Sequence, residues 1–430
     1  MPITRRTFFA GASTAAGVLA APSVLRAQSA ETELVVHYSN AQVFNDLMAA
    51  IAKTFQAEHP SIKVTLRVPD VGYEEILQRN LRDAITNTLP DVAFHGLSRQ
   101  RSLEERGIPV DLKPFMDADA ETKTLGFSPT LLSMGQIGTK QVGIGFSIST
   151  PLLYYNPDLV KAAGGDPEKL PTSWDEVIKL AVAIHDPAKS TTGMFYDWTI
   201  SGNWGWQALV RSFGGSILSE DETKVAFTDA RGRDAMRNLQ RMVVEGKMPD
   251  INLATSVQDM AAGRLGITMQ SAALITMFTR EINDRFKLVC GRYPMSAPNG
   301  RIPAGGNAAM MFTKNPAKQK AAWEFIKFAT GPRGATMMVN ATGYMPATTI
   351  PAEREDMLAK FYREHPNHMV SVGQQDVITG WYAFPGQNAL RITDVIKDNL
   401  QTVVARRGDA DPTNEAMGAA VQRLLPTATR

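Results

Sequence analysis

An α/β architecture in two packed bodies is what this sequence predicts, and three observations carry that reading. Residues 33–96 alternate strand and helix patterns, five elements in a row. A second run of α/β patterns restarts near residue 171, after a stretch rich in glycine and small hydroxyl residues. The 430 residues also exceed what one hydrophobic core holds, because single cores stop growing at roughly 250–300 residues.

The elements follow in order. ELVVHYSN is an apolar strand ending on polar residues, and Phe44, Leu47, Met48, Ile51 and Phe55 after it are spaced for one helical face. Pro60 stops that helix. Ile62, Val64, Leu66 and Val68 then alternate as in a strand. GYEEILQRNLRDAITNTL reads as a helix and PDVAFHG as a short buried strand. This alternation implies a parallel sheet with right-handed crossovers, whose ligands sit beyond the carboxyl ends of the strands. The residues at those ends are His37, Tyr38, Ser39 and Asn40, and His95 to Ser98.

Further on, PTSWDEVIKLAVAI carries a capping box, Ser173 with Glu176. Trp198, Trp204 and Trp206 crowd nine residues whose glycine, serine and asparagine predict a loop. RLGITMQSAA is a strand, and GGNAAMMFT is another. Asn315, Pro316 and the final Gly331-Pro332 bound a helix with a Phe325/Ile326/Ala329 stripe. The remainder is largely helical, without short repeats or a low-complexity linker.

Residues 1–30 read as a secretory signal: Arg5-Arg6, the apolar stretch Ala10–Ala20, and a small-residue site at Ala27 to Ala30. Thr-Arg-Arg-x-Phe resembles the twin-arginine type, and the apolar stretch is far short of the ~20 residues a membrane span needs. The expected compartment is the periplasm. The full chain carries 45 basic and 43 acidic side chains, and without Arg5, Arg6 and Arg26 the formal charge is −1. That balance points to neither nucleic acid nor a membrane surface as partner. Cys290 is alone, so no disulfide forms within the chain, and no Cys/His spacing suggests a metal.

GFSISTPLLYYNPDLVKAAG, PTSWDEV, RLGITMQS, the GG before AAWEFIKFATGP, and TGYMPAT stand in one order from Gly145 to Thr348. In that order they resemble the extracellular solute-binding proteins of ABC importers, the family binding sugars and sugar phosphates, most closely its glycerol-3-phosphate branch. The resemblance implies the type II-like periplasmic binding protein fold, two α/β lobes joined by crossing hinge segments near 147–150, 302–307 and 342–345. Lobe one is then expected at 31–148 plus 307–343, and lobe two at 149–306 plus 344–430. It also implies a monomer without cofactor or catalytic residues, which captures a small sugar, polyol or sugar phosphate or sulfonate and delivers it to ABC permease subunits.

Several residues become candidate ligand contacts. Tyr73 offers a phenol to the solute, or staples a helix start. His37, Asn40 and His95 stand at strand ends, though a lone histidine is as readily structural. Ser149 is a hinge hydroxyl. Trp204 or Trp206 offers a face to the C–H side of a sugar ring. The family places ligand contacts at Ser271 and Tyr344. Gly306 bares backbone N–H groups, or only makes a turn. Arg391 falls near the branch's phosphate-binding arginine in a shifted register, and is otherwise a surface helix residue. Two rival readings are a secreted carbohydrate-active enzyme, which needs a carboxylate pair across the cleft, and a sensory binding protein serving a membrane receptor.

Overall fold

The computed structural model describes residues 31–426, and the signal-like segment 1–30 lies outside them. The expected elements form in order: β1 (Thr32–His37), α1 (Ala41–Glu58), β2 (Ile62–Leu66), α2 (Tyr73–Thr86) and β3 (Val92–Gly96). α1 buries Phe44, Leu47, Met48, Ile51 and Phe55, the stripe its spacing dictates. β4 (Ile144–Ser149) and β5 (Pro151–Tyr155) follow with one residue, Thr150, between them. β6 (Thr192–Tyr196), α3 (Trp204–Ser212), β7 (Leu265–Ser271), β8 (Val289–Arg292) and β9 (Gly305–Met311) complete the set that builds the site.

Two sheets result. The first has order β2-β1-β3-β9-β4, the second β8-β5-β7-β6. The parallel sheet expected from the first elements is in fact mixed. β1 is parallel to β2 and β3, while β9 runs against both β3 and β4. In the second sheet β5 runs against β7 and β8, and β6 is parallel to β7. The reversed strand of each sheet is the one by which the chain comes in from the other body. It therefore starts where its neighbours end, and all other strands point their carboxyl ends at one shared cleft.

Each sheet has its own core. Phe55 meets Phe325 edge-on at 5.2 Å in the first, among Leu34, Val36, Phe94 and Met311. Leu152 to Tyr155, Phe195, Ile267 and Phe278 lie in the second. The second core also takes in Tyr73, Leu97 and Ile148 from the first body, so apolar packing continues across the junction. Residues 344–364 contribute Tyr344, Leu358 and Tyr362 to the first core, and Met345 bridges to Ile148. The chain then reaches the second sheet at the helix Pro366–Val372. There Ser371 and Gln374 each hydrogen-bond the Thr150 hydroxyl at 2.9 Å, which ties the crossing to the C-terminal segment.

Candidate functional site

A cavity of about 480 Å³ lies between the two sheets, at the carboxyl ends of their strands. Asn40 and Tyr73 line it from the first body, Ser149, Gly306 and Tyr344 from the crossing segments, and Trp204 and Ser271 from the second. Seven of the residues singled out in the sequence thus meet in one place. Asn40 gets there by a left-handed backbone, φ 59°, which turns the chain from β1 into α1. Ser271 ends β7, and its hydroxyl accepts the Ala273 N–H at 3.2 Å.

The glycine pair is demanded by close approach. A Cβ on Gly306, at φ 98°, would sit 1.9 Å from the Ser147 carbonyl oxygen. One on Gly305 would meet the Ser149 hydroxyl at 2.6 Å and the Trp204 ring at 3.1 Å. Any side chain here would push β9 away from β4 and the indole out of the cleft wall.

The expected loop around the tryptophans is instead a turn followed by a helix. Gly202 (φ 63°) and Asn203 (φ 57°) reverse the chain, and α3 begins at Trp204. Residues two apart on a helix lie some 200° apart around its axis. Trp204 therefore faces the cavity while Trp206 packs edge-on against Phe227 at 5.0 Å, inside the second core. Trp381 adds a further ring, 6.2 Å from Trp204 and 6.3 Å from Tyr73. Tyr344 stacks on Phe44 at 5.7 Å. Burial pushes the phenols of Tyr73 and Tyr344 up, so both act as neutral hydroxyls.

Sequence reasoning missed the one charged residue of the wall. Asp197 follows β6 directly and is 1 % exposed. Its Oδ1 accepts from the Thr199 amide at 3.0 Å and hydroxyl at 2.6 Å. Burial pushes its carboxyl pKa up. Beside it Gln270 is fully buried, its amide near enough to Asp197 to favour the charged carboxylate though without a well-formed hydrogen bond, and the Trp204 Nε1–H has no partner among the described residues. The available signal was an acid placed straight after the apolar run GMFY, where a strand meets the cleft.

Four candidates stand outside the cavity. His37 and His95 point into the first body, where Asn80 of α2 lies between them. Its Nδ2 is 3.1 Å from His37 Nδ1 and its Oδ1 is 2.9 Å from His95 Nε2. The amide serves one nitrogen of each ring, and only by donating to His37 and accepting from His95, which leaves the His37 Nε2 proton facing Asp70 at 3.1 Å. Burial lowers the pKa of both rings, that of His95 to about 3. Both are buried structural groups. Trp206 belongs to the core, and Arg391 is exposed on the helix Ala389–Val404. No Lys, Arg or His lines the cavity among the described residues.

Residues 39–336 match the family described as bacterial extracellular solute-binding protein. This chain belongs to that family. Among its relatives, the sn-glycerol-3-phosphate-binding periplasmic protein UgpB of Pectobacterium atrosepticum is 23% identical over 378 residues, 84% of this chain and 83% of that protein. UgpB from Mycobacterium tuberculosis, solved with glycerophosphocholine, superposes with a TM-score of 0.80 at 18% identity, covering 91% of this chain and 98% of the other. The cyclic alpha-maltosyl-1,6-maltose binding protein of Arthrobacter globiformis gives a TM-score of 0.75 at 23% identity over 91% and 98%. The family is one of binding proteins rather than enzymes, working outside the cytoplasm, and its fold is the two-lobed one seen here.

In this solute-binding protein two polar contacts bridge the lobes beside the cavity. Ser201 of the second lobe donates to Glu74 of α2 at 2.8 and 3.0 Å, and the buried Arg99 holds the same carboxylate from within the first lobe. Arg101 pairs with Glu222 through two bonds of 2.6 Å, and the Tyr382 hydroxyl donates to Glu222 at 2.8 Å. No described helix is long and apolar enough to cross a membrane.

Proposed function

We propose that this chain is the solute-binding component of an ABC importer, acting as a monomer in the periplasm and passing a small polyol- or sugar-type solute to membrane permease subunits. One observation carries the reading: the cavity is walled by strand ends of both lobes together with residues of the crossing segments. A solute held there touches both halves at once, so its binding energy is complete only when they are together. Closure then follows from differential affinity for the closed form. Asn40, Tyr73, Ser149, Trp204, Ser271, Gly306 and Tyr344 are the contacts we assign, with the lobes turning about Thr150, Ala304 and the stretch after Gly343. The relatives named above bear glycerol-3-phosphate, glycerophosphocholine and a maltosyl oligosaccharide in their names, which sets the panel to screen.

The test is calorimetric titration of the mature chain with sugars, polyol phosphates and glycerophosphodiesters, followed in parallel by tryptophan emission. One ligand of the panel is expected to bind and to shift the emission, and Trp204→Phe should remove most of that shift. Silence toward the whole panel would remove the importer reading.

A further inference from the structure

A buried carboxylate with no cation near it is costly, by several kcal/mol even after relaxation, unless the group is protonated or a partner arrives. Asp197 is such a group. It forms no ion pair among the described residues; its two well-formed hydrogen bonds, both from Thr199, occupy the same oxygen, and its other polar neighbour is the neutral Gln270 amide. The buried guanidinium of Arg99 is engaged by Glu74. The wall around Asp197 is otherwise aromatic and aliphatic: Tyr73, Trp204, Trp381, Leu253, Leu274 and Met277. Trp381 contacts both other rings, so three π systems face one space. An uncharged oligosaccharide can stack its C–H faces on these rings but would bring no counter-charge to Asp197. A methylated ammonium needs no hydrogen-bond acceptor, only negative charge and ring faces, which is what an aromatic cage beside a carboxylate supplies.

Resting on the importer reading, we propose that the cavity takes a zwitterionic solute, its quaternary ammonium end seated between Asp197 and the rings of Tyr73, Trp204 and Trp381. The other end needs acceptor oxygens. It meets the buried, unpartnered Trp204 Nε1–H, the Gln270 amide and the hydroxyls of Ser149 and Ser271. Phosphate oxygens can be held by these neutral donors without an arginine, provided that the solute's own cation balances its charge. A phosphomonoester anion brings no such cation and faces Asp197 directly.

Calorimetric titration of the mature protein with glycerophosphocholine, glycerol-3-phosphate and maltose separates the possibilities. The first two share a glycerol phosphate and differ in the ammonium group. Glycerophosphocholine is expected to bind at least about 30-fold more tightly than glycerol-3-phosphate. Asp197→Asn, which keeps the shape and the acceptor for Thr199, should erase most of that difference. Trp381→Leu, outside the charged position, should weaken glycerophosphocholine by about 3- to 30-fold. It serves as the second variant should Asp197→Asn fail to fold. Tighter binding of maltose or of glycerol-3-phosphate overturns this proposal and leaves the importer reading standing. An unchanged preference in Asp197→Asn or, where only it folds, in Trp381→Leu overturns it as well. Failure of all three ligands to bind overturns it, and the wider solute panel then decides the importer reading.

Discussion

Two of this protein's buried polar clusters, one in the first lobe and one on the cleft, differ in where their unspent hydrogen-bonding groups lie. In the first, Asn80 serves His37 and His95 together, while His37 faces Asp70, which Arg79 also holds at 2.7 Å. In the second, the Trp204 indole has no protein partner, the Gln270 amide has no well-formed hydrogen bond, only the Asp197 carboxylate close by, and Asp197 has no cation. The first cluster turns inward, with only His95 Nδ1 left without a polar neighbour, and orders β1, α2 and β3 relative to one another. The second leaves donors and a charge unspent, and they all border the cavity. What separates the two is where the unspent groups lie: within the lobe in the structural cluster, and on the cavity wall in the binding one.

Breaking the first cluster should have the largest effect. Asn80→Ala strands the protons and lone pairs of two buried imidazoles and is expected to lower stability by about 3 kcal/mol. Chemical denaturation reads that loss, while the affinity of the folded fraction for its solute should stay within about threefold. A small loss would mean that water replaces the amide and that the cluster holds little together.

Acid tests the same cluster without mutation, together with the separate buried His368 on the helix Pro366–Val372. His95 titrates near 3 when folded and near 6.5 ordinarily, and His368 is lowered to about 4, both by burial. Each folded value is depressed, so the stability these rings confer is intact above pH 6.5 and is lost as pH falls toward the folded values. From pH 6.5 to 5 the unfolded chain gains protons that the native chain refuses. Stability should drop by up to about 1.4 kcal/mol per pH unit for each such ring. Melting curves across that window check the slope, and a flat profile would show that the rings are solvated.

The smallest effect on stability is expected at the cleft cluster. Gln270→Leu removes a fully buried amide that has no well-formed hydrogen bond, so the melting temperature should change little, while solute affinity falls about tenfold. A lower melting temperature together with unchanged affinity would reverse the roles of the two clusters.

Much of the architecture was legible in the residues. The stripe Phe44–Phe55, the alternation of Ile62 to Leu66, the Ser173/Glu176 box and the Asn315-Pro316 start all appear as read, because each is set by local periodicity or capping chemistry. The small-residue passage before Pro151 proved to be the crossing itself. The reversal of β9 was not legible, since strand direction depends on the side from which the chain returns. Nor was the split of Trp204 from Trp206, which turns on a helix start fixed by two left-handed residues. His37 and His95 were placed at the right strand ends with the wrong direction, because pleat phase and the position of Asn80 decide which face a side chain takes.

The sequence alone determined what local rules govern: two α/β bodies, their helices and strands, and the segments where small residues let the backbone cross. Only the tertiary structure decided the chemistry of the cleft. Asp197, Gln270 and Trp381 are separated by up to 184 residues in the chain, and whether a polar group is satisfied depends on neighbours that sequence spacing does not bring together. Burial and partnership are properties of the assembled fold, and they distinguish a residue that holds this protein together from one that waits for its solute.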